Sequence, residues 1–135
     1  MEQGRRLPQT VNFILYVRDQ AAACRFYRAV LGADPTLDVP GMTEFTLAPR
    51  VVLGLMPEAG IATLLGEAAP RPAAGNGIPR AEVYLRVDDP GAAHRRALEA
   101  GARELSPLEP RGWGDEAAYA LDPDGHVIAF ARPLA

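Results

Sequence analysis

The feature that most constrains this chain is that it contains the same unit twice. At an offset of 70 residues, Leu15, Val17 and Asp19 meet Leu85, Val87 and Asp89, and Ala22, Ala23 and Arg25 meet Ala92, Ala93 and Arg95. Gly32-Ala33 then meets Gly101-Ala102. Further on the offset reads as 74, pairing Phe45 with Tyr119, Leu47 with Leu121 and Pro49 with Pro123. Residues 10–57 and 80–132 therefore read as two copies of one unit of about 50 residues. A repeat of this kind is expected to fold as two similar modules sharing a core. Within 135 residues that leaves room for one domain, 1–135, and not for two independent cores.

Each copy follows the same local grammar. Val11, Phe13, Leu15 and Val17 alternate with Asn12, Ile14, Tyr16 and Arg18, and Val83, Leu85 and Val87 alternate with Glu82, Tyr84 and Arg86. Period two predicts a strand with one apolar face. Asp19 and Asp89 stand where helix N-caps belong, and Pro90 suits a first helical turn. Ala23, Phe26, Tyr27, Val30 and Leu31 form one helical stripe; Ala93, Ala97, Leu98 and Ala100 form a weaker one. Gly32 and Gly101 are expected to end the helices. Short strands are expected near 35–39, 44–47 and 51–56, and again near 104–107, 117–121 and 126–131. Asp122-Pro123-Asp124-Gly125 is a tight-turn signal, because Pro presets φ and Gly accepts a positive one.

Residues 58–79, rich in Pro, Gly and Ala, read as a linker with one short helix at 61–68. A connection this long is either mobile or covers a site. Two β-α-β-β-β units predict an α+β fold, a mixed, curled sheet of eight strands. The helices pack on one face, leaving an open cleft on the other.

Composition excludes several classes. The net charge is −3 and there is no basic stripe, so nucleic acid is not an expected partner. No run of 18 apolar residues suggests a membrane span, and Met1 to Gln9 lacks the apolar stretch of a signal peptide. The single cysteine, Cys24, fits a reducing cytoplasmic setting and reads as a helix-packing residue, not a nucleophile. There is no phosphate-binding glycine loop, and the lone serine, Ser106, suggests no catalytic triad.

Val17-Arg18-Asp19, the helix end Phe26-Tyr27-Arg28-Ala29-Val30-Leu31-Gly32, Val87-Asp88-Asp89, and Leu121-Asp122-Pro123-Asp124-Gly125-His126 together resemble the vicinal oxygen chelate superfamily. That group includes glyoxalase I, extradiol dioxygenases, and fosfomycin- and bleomycin-resistance proteins. The resemblance spans nearly the whole chain and implies a cup built from paired βαβββ modules, holding a metal or ligand. It also implies positions for the metal ligands, which here carry Asn12, Leu55, Glu82 and Ala129. Only one of these is a good donor for a catalytic divalent ion, which wants about three. His94, beside Arg95 and Arg96, reads as a solvated surface residue, and His126 is expected to point away from the cleft. No metal and no cofactor are expected.

What remains is a mixed cleft. Its expected ligand-binding residues are Asn12, Tyr16, Leu55, Glu82, Tyr84, Arg86, Trp113 and Ala129. Glu82 must be met by an arginine such as Arg86, by water or by a ligand. Trp113 lies between Gly112 and Gly114, and in drug-binding members of the family a similar loop borders the cleft. The first reading is a metal-independent protein that sequesters a small, partly aromatic molecule. The alternative is a metal-free or unusual-metal lyase or isomerase with Glu82 as base and Tyr84 or Arg86 holding an oxyanion. A third is a relative that has lost its ligand. Open sheet edges lead to the expectation of a homodimer.

Overall fold

The computed structural model describes residues 7–135. Most of the Met1–Gln9 stretch read for a leader therefore lies outside the described residues. The first repeat is β1 (Val11–Val17), α1 (Gln20–Leu31), β2 (Leu37–Val39), β3 (Met42–Ala48) and β4 (Val51–Pro57). A segment with α2 (Glu58–Leu65) and two short 3-10 turns follows. The second repeat is β5 (Glu82–Arg86), α3 (Pro90–Glu99), β6 (Arg103–Pro110), β7 (Asp115–Leu121) and β8 (Val127–Pro133). The eight strands form two four-stranded sheets, ordered β1-β4-β3-β2 and β5-β8-β7-β6. In each, the first and last strands of the repeat pair in parallel and the others are antiparallel. No helix among the described residues is long and apolar enough to cross a membrane.

The helices start where the sequence marks them. The Asp19 carboxylate accepts from the Ala22 N–H at 2.9 Å, and Asp89 does the same for Ala92 at 3.1 Å. Each satisfies one of the donors a helix start leaves unpaired. Gly32 closes α1 in the left-handed region (φ 65°). α3 ends differently: Ala100 keeps helical angles and Gly101 after it takes φ 116°.

One apolar core serves both repeats. Val17, Phe26, Tyr27, Val30, Phe45, Leu53 and Leu55 from the first pack with Ala93, Ala97, Ile128 and Phe130 from the second. Burying a large apolar side chain contributes about 1.5–3 kcal/mol, so the core ties the modules together. Polar contacts at the Asp122–Gly125 turn reinforce the junction. Asp124 accepts from the Arg18 backbone N–H at 2.9 Å and from its Nε at 3.1 Å. His126 Nε2 bonds the Tyr16 carbonyl at 2.9 Å.

Four expectations are corrected by this arrangement. Leu55 pairs with Leu15 and is fully buried beneath α1, on the opposite face from Asn12, so it is a core residue and lines no cleft. The fourth strands of the repeats are offset by 75, not 74: Asn12 pairs with Val52 where Glu82 pairs with Val127. A two-residue turn containing Arg50 at φ 66° joins β3 to β4, with a register shift between Thr46 and Ala48. The third strands carry the same offset, since Thr46 pairs with Val52 as Leu121 pairs with Val127, so the extra length of the second repeat lies before these strands, between its helix and β7. His94 is not solvated: it is 6% exposed, bonds Glu104 through Nε2 at 2.8 Å and packs edge-on to Phe130. The interrepeat helix is α2 at Glu58–Leu65, earlier than the sequence suggested.

Candidate functional site

β1 and β5 are the terminal strands of their sheets, each with one free edge. Between these edges and the end of α1 lies a mainly apolar cleft of about 750 Å³. Its walls include Phe13 and Ile14 from the first repeat and Glu82, Tyr84, Arg86 and His126 from the second. Phe45, Leu47 and Leu53, from the helix-facing side of the first sheet, also reach it. The cleft thus enters at the strand edges and is not simply the open face of a sheet. Its size suits a small organic molecule.

The structure divides the eight expected binding residues. Glu82, Tyr84 and Arg86 line the cleft together. Asn12 is on the open face of the first sheet, donating through Nδ2 to Glu44 at 3.1 Å, and Tyr16 shares that face at 37% exposure. Ala129 is fully buried in β8, between Tyr84 and Tyr119 in register. Leu55 is in the core, as described. Trp113 stands 59% exposed beside the second sheet and reaches the cleft only through Tyr84.

A carboxylate that sequence reasoning missed organises this region. Asp115, 4% exposed, opens β7 on the same face as Arg86. Tyr84 donates its hydroxyl to Asp115 Oδ2 at 2.6 Å, and the Arg86 Nε and Nη2 atoms both lie 3.1 Å from the same oxygen. The Trp113 indole N–H donates to the Tyr84 hydroxyl at 2.9 Å, which ties down a side chain set between two glycines. Burial, and then the bond to Asp115, raises the Tyr84 hydroxyl above the ordinary tyrosine value, while the indole N–H works the other way. The signal for Asp115 was present: alternation counted back from Tyr119 through Ala117 places it on that face.

Glu82, by contrast, has no ion pair among the described residues and is exposed to solvent. Its charge is felt by Tyr119, whose hydroxyl is raised first by burial and then by Glu82. Cys24 is buried, and that burial pushes its thiol up, which fits a packing role.

The residues do not fit the divalent metal that the resemblance implies. Ala129 offers no donor, Asn12 is bonded to Glu44, and the corrected register puts Gly54, not Leu55, at the remaining position. Among the described residues no three His, Cys, Asp or Glu side chains converge at metal-binding spacing. No step through a metal follows from this set.

Fold and site together define a paired βαβββ protein with a mainly apolar cleft whose Glu82 carboxylate has no ion pair among the described residues. Comparison with known proteins agrees with the class. The model of the Glyoxalase/Bleomycin resistance protein/Dioxygenase superfamily matches residues 6–130, and the chain belongs to that superfamily. An uncharacterised protein of Mycobacterium bovis is 29% identical over 123 residues, covering 89% of this chain and 80% of the relative. A glyoxalase-related enzyme from Fulvimarina pelagi shares the fold at TM-score 0.77 and 23% identity, covering 93% of this chain and 88% of that one. TnmS3, an antibiotic binding protein from Streptomyces, superposes at TM-score 0.67 with 25% identity, covering 94% and 97%.

Proposed function

We propose that this protein binds and sequesters a small, partly aromatic, positively charged molecule without a metal. The observation that carries the reading is the state of Glu82. The arginine best placed in sequence to neutralise it, Arg86, is held by Asp115 instead. A carboxylate with no ion pair among the described residues, on the wall of an apolar cleft, attracts a cation, and charge-assisted bonds there are the stronger ones. The aromatic rings of Phe13 and Tyr84 offer faces for a flat guest. Likeness to an antibiotic binding protein supports a role in drug binding or resistance.

The enzymatic alternative needs Tyr84 or Arg86 to hold an oxyanion while Glu82 takes a proton. Both are already committed to Asp115, which favours binding over chemistry. A homodimer is part of the proposal: Phe13, Ile14 and Tyr16 are exposed on a strand with a free edge, a surface that a second copy would cover.

The test is fluorescence of Trp113, the only tryptophan, which is bonded to a cleft residue. Cationic aromatic compounds are expected to quench it with micromolar affinity, and Glu82→Gln to weaken them at least several-fold with the fold intact. Equal binding by the variant, or no quenching across a broad panel, overturns the reading. Light scattering checks the dimer: a stable mass near 14.4 kDa at micromolar concentration counts against it.

A further inference from the structure

We infer that Asp115 determines which sign of charge the cleft selects, by holding Arg86 away from Glu82. The inference deepens the binding role just proposed and rests on that reading of the cleft. Glu82 and Arg86 lie four residues apart on one face of β5, with Tyr84 between them. The Arg86 guanidinium carbon sits 5.6 Å from the centre of the Tyr84 ring. Four residues along a strand separate the two backbones by about 13 Å, a gap that Arg and Glu side chains bridge when both extend over the ring between them. Arg86 does not turn that way because Asp115 Oδ2 takes both its Nε and Nη2.

The charge count follows. On the second repeat's side of the cleft Glu82 and Asp115 carry one negative charge each and Arg86 one positive, so that wall is net negative by one and the charge sits on Glu82; Asp34, from the first repeat, is paired with Arg28. Remove the charge of Asp115 and the wall becomes neutral, with a freed guanidinium able to cancel Glu82 or to meet an anion. Asp115 is nearly buried and beyond direct reach of a ligand, so it acts as a positioning residue, through Arg86.

Asp115→Asn is the apt variant: its amide oxygen in the place of Oδ2 still accepts the Tyr84 hydroxyl and keeps the shape of the site, while without the charge the same oxygen holds Arg86 only by the weaker bonds of a neutral acceptor. The probes are proflavine, a planar cation, and naphthalene-2-sulfonate, a planar anion, both read by Trp113 quenching. Asp115→Asn is expected to weaken proflavine at least tenfold and tighten naphthalene-2-sulfonate at least tenfold. Adding Arg86→Met to it is expected to abolish the gain for the anion. Arg86→Met alone, with Asp115 intact, is expected to keep or tighten proflavine binding, and it serves if Asp115→Asn does not fold. Equal weakening of both probes, no change in preference, or loss of proflavine in Arg86→Met overturns the inference. The two proposals fail separately. If wild-type protein ignores proflavine but Asp115→Asn gains the anion, the sequestration reading falls and this one stands. If wild type binds proflavine and Asp115→Asn keeps that preference, only this one falls.

Discussion

The Tyr27 hydroxyl, in the first repeat, donates a 2.6 Å hydrogen bond to the Asp122 carboxylate, in the second, and both side chains are buried. The other oxygen of Asp122 accepts the backbone N–H groups of Asp124 and His126, each at 2.8 Å. One carboxylate thus shapes the β7–β8 turn and locks it to α1.

Tyr27→Phe leaves that carboxylate short of a donor in a buried place and is expected to cost about 1–3 kcal/mol. The loss should depend on pH in a defined direction. Burial, then the charge of Asp122, raises the Tyr27 hydroxyl well above the ordinary tyrosine value. The folded state therefore holds this proton more tightly than the unfolded chain. Its contribution is complete below about pH 10, the unfolded tyrosine range, and is lost as pH rises above it. Urea midpoints of wild type and Tyr27→Phe should differ most at neutral pH and converge in strong alkali. A gap that widens above pH 10 contradicts the assignment.

Gly125 shows why the segment between the repeats stays where it is. It takes φ 89°, and a Cβ there would stand 2.7 Å from the Gly77 carbonyl oxygen and 2.9 Å from the Gly77 Cα. Neither backbone neighbour can give way cheaply. Gly125→Ala combines a disfavoured dihedral with this clash and is expected to cost about 1–3 kcal/mol. Limited proteolysis should show faster cleavage within residues 66–80, where Gly77 has been pushed off the turn. An unchanged cleavage rate would mean that the segment is held by other contacts.

Much of the fold was legible because its signals are local. The alternation in β1 and β5, the caps Asp19 and Asp89, and the Asp122–Gly125 turn each act on residues within a few positions. The site was less legible, because partner choice is not local. Arg86 and Glu82 share a strand face, so sequence alone pairs them. The partner that Arg86 takes is 29 residues away, on a strand two places across the sheet. Leu55 was misplaced for a related reason: the second repeat is longer between its helix and its third strand, which moved the alignment by one, and one residue reverses the face of a strand.

His94 offers a test in the opposite sense, where a substitution should do no harm. Its Nδ1 is buried with no hydrogen-bond partner, while Glu104, its one partner, remains half-exposed. His94→Leu removes the orphaned atom, packs on Phe130 and favours the helix, and Glu104 turns to water. The expected change in unfolding free energy lies between zero and about 1 kcal/mol of stabilisation. Thermal and urea denaturation measure it directly, and a loss beyond 1 kcal/mol would mean that the Glu104 pair matters more than the orphan.

The last expectation separates two neighbours on β4, one in the core and one packed behind a cleft residue. Leu55 pairs with Leu15 over α1 and is fully buried. Gly54 faces the other way, where a Cβ would come within 3.0 Å of Ile14 Cγ1 and 3.2 Å of Met42 Sδ. Ile14 lines the cleft. Leu55→Ala should therefore open a cavity in the core and cost about 2–5 kcal/mol, yet leave the proflavine affinity of the folded protein within about twofold of wild type. Gly54→Ala should do the reverse. Its methyl presses on the stiff branch of Ile14 and on the end of the flexible Met42 side chain, a crowding that costs about 1–3 kcal/mol, and the displaced Ile14 changes probe affinity. If Leu55→Ala weakens binding while stability holds, Leu55 belongs to the cleft beside Leu53, which shares its face and lines it, and the assignment of Leu55 to the core fails.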